Sequence, residues 1–534
     1  MCQPTPAVLK ATFLKEKMSH RYRREGFSWT KDWQHQDPLG VRNRHTENIP
    51  EQTERNTISV QDFRNAIQHK GMKWTVIDGH VYDLKNLIGN HPGGDFLDEF
   101  VGTDATLYFY IKHLKSRGAW RRLRACWKGY LDEPQGVAHD LDRKLIELVE
   151  ELGQEGKLTF PLRDIVIQCI ICVSLYVAQF VLAVMAIGPS DTYHCCSDNG
   201  SMLLATASLL CGTLAFMLTG YFLHDCGHQS VFDTKEGNSM MTFLGGLVMG
   251  VAATETLAEH DMHHGYPNVL SRDGTLNTGI IVWHRDQVKG ELPEDYSDWA
   301  PKLWYGFVLW MYSPVEVYRI AKIGIEKSWR SIVGYVIRYA FAFGAPYLFG
   351  STWLVGVVYL ASFLLSGFTV ALISTFNHLA EPKENVAYFR ERTREGRSFV
   401  EHQLGKSCSF TRGAFEAGLV PLSGEEWEPP AGLFCGRIRL FLHRCVSWLT
   451  GHFNYHQEHH MVPFMPRQHL REISWRLRRV VAAESGTPTT EEDEGLLKVR
   501  GIWESFLLVY DAVRYPFGPN SRIGASSGMN KSRR

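Results

Sequence analysis

The chain has 534 residues, of which 57 are basic and 57 acidic, so its formal net charge at pH 7 is zero. This balance excludes the strongly basic surface of a typical nucleic-acid-binding protein, and a hydrophobic content of 44% excludes wholesale disorder. Aromatic residues make up 12% of the chain, as is typical of proteins that place aromatic rings at a membrane interface.

The first part of the chain predicts an arm followed by a small domain. Residues 1–55 are polar and predict an extended or partly ordered arm without the apolar core of a signal peptide. Residues 57–132 predict a compact domain that contains both helices and strands. Alternating apolar residues predict strands at Trp74–Ile77 and Val81–Asp83, and Asp78–Gly79 between them predicts a tight turn.

Two histidines of this domain form a candidate cofactor site. His91 precedes the turn residues Pro92–Gly94, and His113 follows 22 residues after His91, beyond a segment long enough for two short helices. Two neutral imidazoles can ligate iron from the two faces of a flat macrocycle. With both axial positions of the iron filled by histidine, no position is left for O₂, so the predicted chemistry is electron transfer. The spacing alone also fits two solvated surface histidines.

The rest of the chain predicts an all-α membrane domain. Residues 133–160 predict a helical connector, 161–480 the membrane domain and 481–534 a flexible tail. A transmembrane helix needs about 20 apolar residues, and four stretches meet this need: Ile165–Ile187, Met202–Leu223, Ile332–Phe349 and Trp353–Phe376. Shorter apolar runs at Met240–Ala253 and Leu303–Tyr318 predict interfacial or re-entrant helices.

The basic residues predict the orientation of these helices. The loop 188–201 contains no Lys or Arg, and the loop 350–351 is too short to hold any. The other flanks are basic: Arg163, Lys235, Lys327, Arg330 and Lys383. The positive-inside rule therefore places both short loops in the lumen, and both termini and a helical cap in the cytosol.

Histidines cluster at the cytosolic ends of the predicted spans. Three groups have helical spacing, and a lone histidine follows the fourth span: His224 and His228; His260, His263 and His264; His456, His459 and His460; and His378. Spacing of three and four residues puts the rings of each group on one helix face. A structural zinc site needs only four ligands, so nine histidines are too many for one zinc ion and suit two metal ions. Imidazole is a ligand for Zn, Cu, Fe and Ni alike. An adjoining electron carrier favours iron, because zinc has no redox chemistry.

The motifs resemble a known family in their order. HPGG at 91–94 and GTDAT at 102–106 resemble cytochrome b5, and HDCGH at 224–228, HDMHH at 260–264 and HQEHH at 456–460 resemble the histidine boxes of membrane fatty acid desaturases. The whole resembles desaturases with an N-terminal cytochrome b5, which include the front-end group and the cytochrome b5-related proteins. The resemblance covers roughly residues 57–475.

The resemblance implies a fold, two cofactors and an activity. It implies an α+β cytochrome b5 domain whose heme b is held by His91 and His113. It also implies a non-heme diiron site, O₂ as oxidant and NADH electrons delivered by cytochrome b5 reductase, at the endoplasmic reticulum membrane. The implied reaction is desaturation of a lipid acyl chain. The implied iron ligands are His224, His228, His260, His263, His264, His459 and His460, and we add His378 and His456 as candidates.

Several details remain open at this level. Front-end desaturases usually have Gln where this chain has His456, which leaves the position of the new double bond undecided. Four carboxylates within or beside the boxes are candidate hydrogen-bond acceptors for the ligand rings: Asp225, Glu259, Asp261 and Glu458. His80 is interpreted as an exposed turn residue. Two alternative functions are a lipid hydroxylase on the same scaffold and a catalytically silent electron carrier.

Overall fold

A computed structural model describes most of the chain. The described ranges are 49–91, 96–187, 198–249, 253–276, 292–308, 353–410, 434–485 and 499–515, with isolated positions between 276 and 353. Several predicted features lie outside them: the N-terminal arm up to residue 48, the turn at Pro92–Gly94, the loop 188–197 and the tail beyond 515.

The small domain is built on a four-stranded sheet. Its strands, in the order β1-β4-β3-β2, are β1 (Thr57–Ile58), β2 (Trp74–Ile77), β3 (His80–Asp83) and β4 (Trp127–Leu131). Strands β2 and β3 form an antiparallel hairpin, which confirms the predicted strands and turn. Asp78 (φ 54°) and Gly79 (φ 71°) both adopt left-handed backbone conformations, which is why an Asp-Gly pair is favoured in this two-residue turn.

His80 is not an exposed turn residue, so that prediction is wrong. It opens β3 and is partly buried. Its Nδ1 accepts a hydrogen bond of 3.1 Å from the indole nitrogen of Trp127, and its ring centroid lies 4.6 Å from that of Tyr130. The side chain therefore packs β3 against β4.

Helices cover this sheet and lead to the membrane domain. They are α1 (Val60–Lys70), α2 (Thr106–His113), α3 (Arg117–Arg124) and α4 (Asp140–Gln154), which lies within the predicted connector. Ser59 caps α1 by accepting a hydrogen bond from the backbone of Asp62, at 3.0 Å. The last residue of α2 is His113, so this helix carries one of the two histidines of the candidate cofactor site.

Three helices are long and apolar enough to cross a membrane among the described residues. They are α5 (Leu162–Ile187), α6 (Asp198–Gly227) and α10 (Leu354–His378). They contain the first, second and fourth predicted spans. Most of the third, Ile332–Phe349, lies outside the described residues, so the expected number of four is not reached within the described part of the chain.

A buried polar contact joins these three helices. Gln179 of α5 donates a hydrogen bond of 2.9 Å to the hydroxyl of Ser362 on α10, and Ser208 of α6 donates one of 2.7 Å to the carbonyl oxygen of Gln179. Gly212 lies so close that an added Cβ would approach the Gln179 amide nitrogen to 2.1 Å. Polar contacts and small residues of this kind let helices associate where the hydrophobic effect is weak.

The remaining elements surround the end of α6. They are α7 (Lys235–Met249), α8 (Ala253–Gly265), α9 (Tyr296–Lys302), α11 (Val386–Arg394), α12 (Phe399–Lys406), β5 (Ser409–Phe410), α13 (Phe434–Leu449), α14 (His456–Met461), α15 (Leu470–Ser485), β6 (Val499–Arg500) and α16 (Ile502–Arg514). On α7 the side chains of Met240, Leu244 and Val248 are exposed. Their spacing of four residues forms an apolar stripe, as expected of the predicted interfacial helix.

The small domain and the membrane domain share one hydrophobic core. Tyr110 and Leu114 of the small domain belong to the same buried cluster as Tyr266, Phe399 and Phe464. The ring centroids of Tyr110 and Phe464 are 6.4 Å apart. The small domain is therefore packed onto the helical domain rather than tethered beside it.

Candidate metal centre

Four helices bring the nine predicted histidines together. Helix α6 carries His224 in its last turn and is followed directly by His228. Helix α8 carries the second group, His378 is the last residue of α10, and α14 carries the third group. Each group lies on a helical turn, so its rings share a face. The centre thus forms where two membrane-spanning helices end.

The rings separate into two sets of donor nitrogens. Within each set the donor atoms all lie within 4.8 Å of one another: His224, His228, His260, His264 and His459 in one, and His263, His378, His456 and His460 in the other. In the first set the Nε2 atoms of His224 and His260 are 2.8 Å apart. In the second set the Nε2 atoms of His378 and His456 are 2.6 Å apart.

The second and third histidine groups each contribute to both sets. His263 faces the second set while its neighbour His264 faces the first. The rings of His264 and His460 stack across the division, with centroids 4.1 Å apart. Each of these short helices therefore supplies donors to two adjacent sets.

Outer hydrogen bonds fix the tautomer of three rings. Nδ1 of His263 lies 2.9 Å from a carboxylate oxygen of Asp273, Nδ1 of His378 lies 3.0 Å from the carbonyl oxygen of Lys406, and Nδ1 of His460 lies 3.0 Å from the amide oxygen of Gln403. An acceptor at Nδ1 keeps the proton there and leaves the Nε2 lone pair facing the set.

Burial keeps the rings neutral. It lowers the pKa of His228, His260, His264, His456, His459 and His460 well below the ordinary value of 6.5. Among the described residues, Nε2 of His459 and of His460 has no hydrogen-bond partner. Neutral rings with converging lone pairs are the donor set of a first-row metal ion, and two such sets fit two ions.

The acceptors predicted beside the boxes are only partly placed as expected. A carboxylate oxygen of Asp261 lies 3.5 Å from Nδ1 of His228, and one of Asp225 lies 3.7 Å from Nδ1 of His224. Both carboxylates are beside the expected rings, but neither accepts a hydrogen bond from its ring. Glu458 instead accepts hydrogen bonds from the hydroxyls of Ser409 and Ser474. The prediction that it accepts a hydrogen bond from a histidine ring is therefore wrong. The side chain of Glu259 lies outside the described residues.

Sequence reasoning missed Asp273, Gln403 and the Lys406 carbonyl. They lie 10, 57 and 28 residues from the rings they contact, so no local spacing indicates them. Despite burial, which acts to raise it, the pKa of Asp273 lies below its ordinary value because His263, Thr275 and the Asn268 backbone stabilise the carboxylate.

Replacing Asp273 by Asn is expected to weaken metal binding at the second set. The amide keeps the size of the side chain but loses the charge that orients His263. Changes to such outer partners cost roughly 10- to 100-fold in affinity or activity. Metal titration of the metal-free protein measures the change, and Asp298→Asn, on an exposed position of α9, is the matched control. Equal affinity in both variants would contradict the assignment.

His91 and His113 face each other in the small domain. Their ring centroids are 5.9 Å apart and the ring planes meet at 83°. Phe96 packs against His91 at 5.2 Å and Phe109 against His113 at 5.1 Å between centroids. Burial lowers the pKa of His113 to about 3, so its ring is neutral. Two neutral imidazoles with aromatic neighbours suit a flat, apolar cofactor that needs two axial ligands.

A histidine-rich centre at the ends of membrane helices, joined to a domain with two facing imidazoles, defines a membrane-bound redox enzyme. Residues 199–492 match the Fatty acid desaturase family, more than half of the chain. Residues 59–132 match the Cytochrome b5-like Heme/Steroid binding domain. The chain belongs to the fatty acid desaturase family and carries a fused cytochrome b5 domain, as the sequence motifs predict.

The relatives of the chain are desaturases from animals and plants. It is 23% identical to the mouse Fatty acid desaturase 2-like protein FADS2B over 75% of each chain. It is 23% identical to the Acyl-lipid (9-3)-desaturase of Physcomitrium patens over 76% of this chain and 69% of the relative. It is 20% identical to the Delta(5) fatty acid desaturase fat-4 of Caenorhabditis elegans over 79% of this chain and 90% of the relative. The resemblance to front-end desaturases is thereby confirmed, and the protein is an enzyme of the desaturase class.

Proposed function

We propose that the enzyme inserts a double bond into the acyl chain of a lipid at a diiron site held by the nine histidines. The observation that carries the proposal is the pair of histidine sets whose lone pairs converge at the ends of α6 and α10. Two bound irons would supply O₂ activation and the removal of two hydrogens from adjacent methylenes. The names of the relatives, which include an acyl-lipid desaturase, support a lipid-linked chain as substrate.

The protein itself supplies positioning and an environment that excludes water. The acyl chain can reach the centre from the bilayer because α6 and α10 both end there. Phe453 covers one side of the site, with its ring centroid 4.9 Å from that of His224 and 5.4 Å from that of Tyr221. An apolar wall of this kind holds the methylenes near the metal set and keeps water away from the reacting carbons.

The small domain is proposed to hold heme b between His91 and His113. The match to the cytochrome b5-like domain and the facing rings support this assignment. A bis-histidine heme accepts and releases one electron at a time. We propose NADH as the electron source and cytochrome b5 reductase as the partner that reduces the heme.

The directions of the helices support a fourth membrane crossing. Both α6 and α10 end at the histidine centre, so the two helices run in the same direction across the bilayer. Helix α8, which carries the second histidine group, ends at Gly265 on the same face of the membrane as the centre. Helix α10 begins at Leu354 on the opposite face. We therefore propose a further crossing between them and assign it to Ile332–Phe349. With the basic flanks on the same face as the histidine centre, we propose that this centre, its cap and both termini lie in the cytosol at the endoplasmic reticulum.

A glycosylation cassette tests this topology. A flexible insert with an Asn-x-Thr acceptor between residues 192 and 193 is expected to be glycosylated, because the loop 188–201 lacks basic residues and is assigned to the lumen. The same insert after residue 520 is the control and is expected to stay unmodified. Glycosylation after residue 520 without modification of the loop would reverse the orientation.

Product analysis tests the proposed function. Cells that express the full chain receive defined saturated and unsaturated fatty acids, and their lipids are examined for new double bonds. The front-end relatives support a new bond between an existing double bond and the carboxyl end. A hydroxylated product would instead establish the hydroxylase alternative. Absence of any product from protein that contains both heme and iron would favour the electron carrier.

A further inference from the structure

The end of α2 contacts residues that neighbour the ligands of the metal centre. Lys112 forms an ion pair with Asp261 through its ammonium group. The carbonyl oxygen of Lys112 accepts a hydrogen bond of 2.7 Å from the side-chain amide of Gln229. Lys112 precedes the proposed heme ligand His113, and Gln229 follows the proposed metal ligand His228. The two cofactor sites therefore meet through residues adjacent to their ligands.

Asp261 forms a second contact between the elements that carry the two sites. One of its carboxylate oxygens binds Lys112, and the other lies 3.5 Å from Nδ1 of His228. The side chains of Asp261 and His228 are 9% and 1% exposed, whereas that of Lys112 is 35% exposed. Electron tunnelling is favoured along covalent bonds and hydrogen bonds over gaps in packing. The carbonyl of Lys112, which is hydrogen-bonded to Gln229, provides such a route from His113 towards His228. The ion pair of the Lys112 side chain with Asp261 holds α2 against α8 at this point.

Buried polar contacts fix the small domain in this position. Glu99 of the small domain is fully buried and binds Arg272 and Arg390 of the membrane domain at 2.7 and 2.9 Å. The buried ammonium of Lys115 donates a hydrogen bond of 2.6 Å to the carbonyl oxygen of Leu158. Separation of the domains would break these contacts and part of the shared core, and removing the partner of a buried charge is costly.

We propose that Lys112, Asp261 and Gln229 are positioning residues of a fixed electron-transfer contact, through which the heme reduces the metal centre without movement of the small domain. This inference rests on the proposed function. A heme held by His91 and His113 would supply two electrons in each turnover, one at a time. These two electrons, two protons and two hydrogen atoms from the acyl chain reduce one O₂ to two water molecules, and one carbon–carbon double bond forms.

Heme oxidation kinetics test the contact in the full-length protein. The heme is reduced under anaerobic conditions and then mixed with O₂ and an acyl substrate in a stopped-flow spectrometer, while absorbance reports its oxidation. Lys112→Met, which removes the charge and keeps the length, is expected to slow this oxidation by about tenfold or more. Asp261→Asn is expected to slow it similarly. The double variant is expected to be no slower than the slower single variant, because both act on one pair.

A matched control separates electron transfer from folding. Lys73→Met removes the same charge from a surface ion pair within the small domain, where Lys73 lies 2.7 Å from Asp98, and is expected to leave heme oxidation unchanged. The heme spectrum, the rate of heme reduction by the reductase and the non-heme iron content are expected to be the same in Lys112→Met as in the wild type.

Three results would overturn the inference. Heme oxidation at the wild-type rate in Lys112→Met would show that electrons take another route. Loss of non-heme iron from the same variant would show that Lys112 only supports the metal site. A wild-type protein that lacks non-heme iron or substrate-dependent heme oxidation would overturn the proposed function itself, and the contact with it.

Discussion

Replacing both His459 and His460 by alanine is expected to remove the non-heme metal and abolish desaturation while the heme remains bound. The two residues are neighbours on α14, but His459 belongs to the set with His224 and His460 to the set with His378. The double replacement therefore damages both sets. We expect a loss of activity beyond about 100-fold, because changes to outer partners of metal ligands already cost up to that amount.

Metal and heme analysis of the purified protein checks this result. The wild type is expected to hold two non-heme irons for each heme, and the double variant none. His460→Ala alone is expected to lose the iron of the second set and retain that of the first. His469→Ala is the control, because His469 is a partly buried histidine that belongs to neither set. Full iron content in the double variant would refute the ligand assignment.

Replacing His113 by alanine is expected to empty the heme site and stop NADH-driven desaturation while the non-heme iron is retained. His113 is one of two facing rings, and its burial lowers its pKa to about 3, so the wild-type ring is available as a neutral ligand throughout the physiological pH range. Any heme that stayed bound would have one protein ligand, an open axial position and a changed spectrum.

The heme spectrum and a whole-cell desaturation assay check this prediction. His80→Ala is the control in the same domain, because His80 packs β3 against β4 through Trp127 and Tyr130. It is expected to keep the heme, although its loss removes the hydrogen bond from Trp127. An unchanged bis-histidine spectrum in His113→Ala would contradict the assignment of the axial ligand.

The sequence was sufficient for local elements and for the histidines that converge. The strands around Asp78–Gly79, the connector helix and three apolar helices follow from periodicity and length, which are properties of neighbouring residues. The three histidine groups are recognisable because spacing of three and four residues places their rings on one helix face. Their convergence follows from a single further step, the placement of every group at one membrane face.

The tertiary structure decided how these residues are divided and what surrounds them. The division of the second and third histidine groups between two metal sets depends on the angles at which α6, α8, α10 and α14 meet. The outer acceptors Asp273 and Gln403, and the contact of Lys112 with Asp261, join residues far apart in the chain. Local sequence patterns do not predict such contacts, because the contacts depend on how whole helices pack together and on how the small domain packs against those helices.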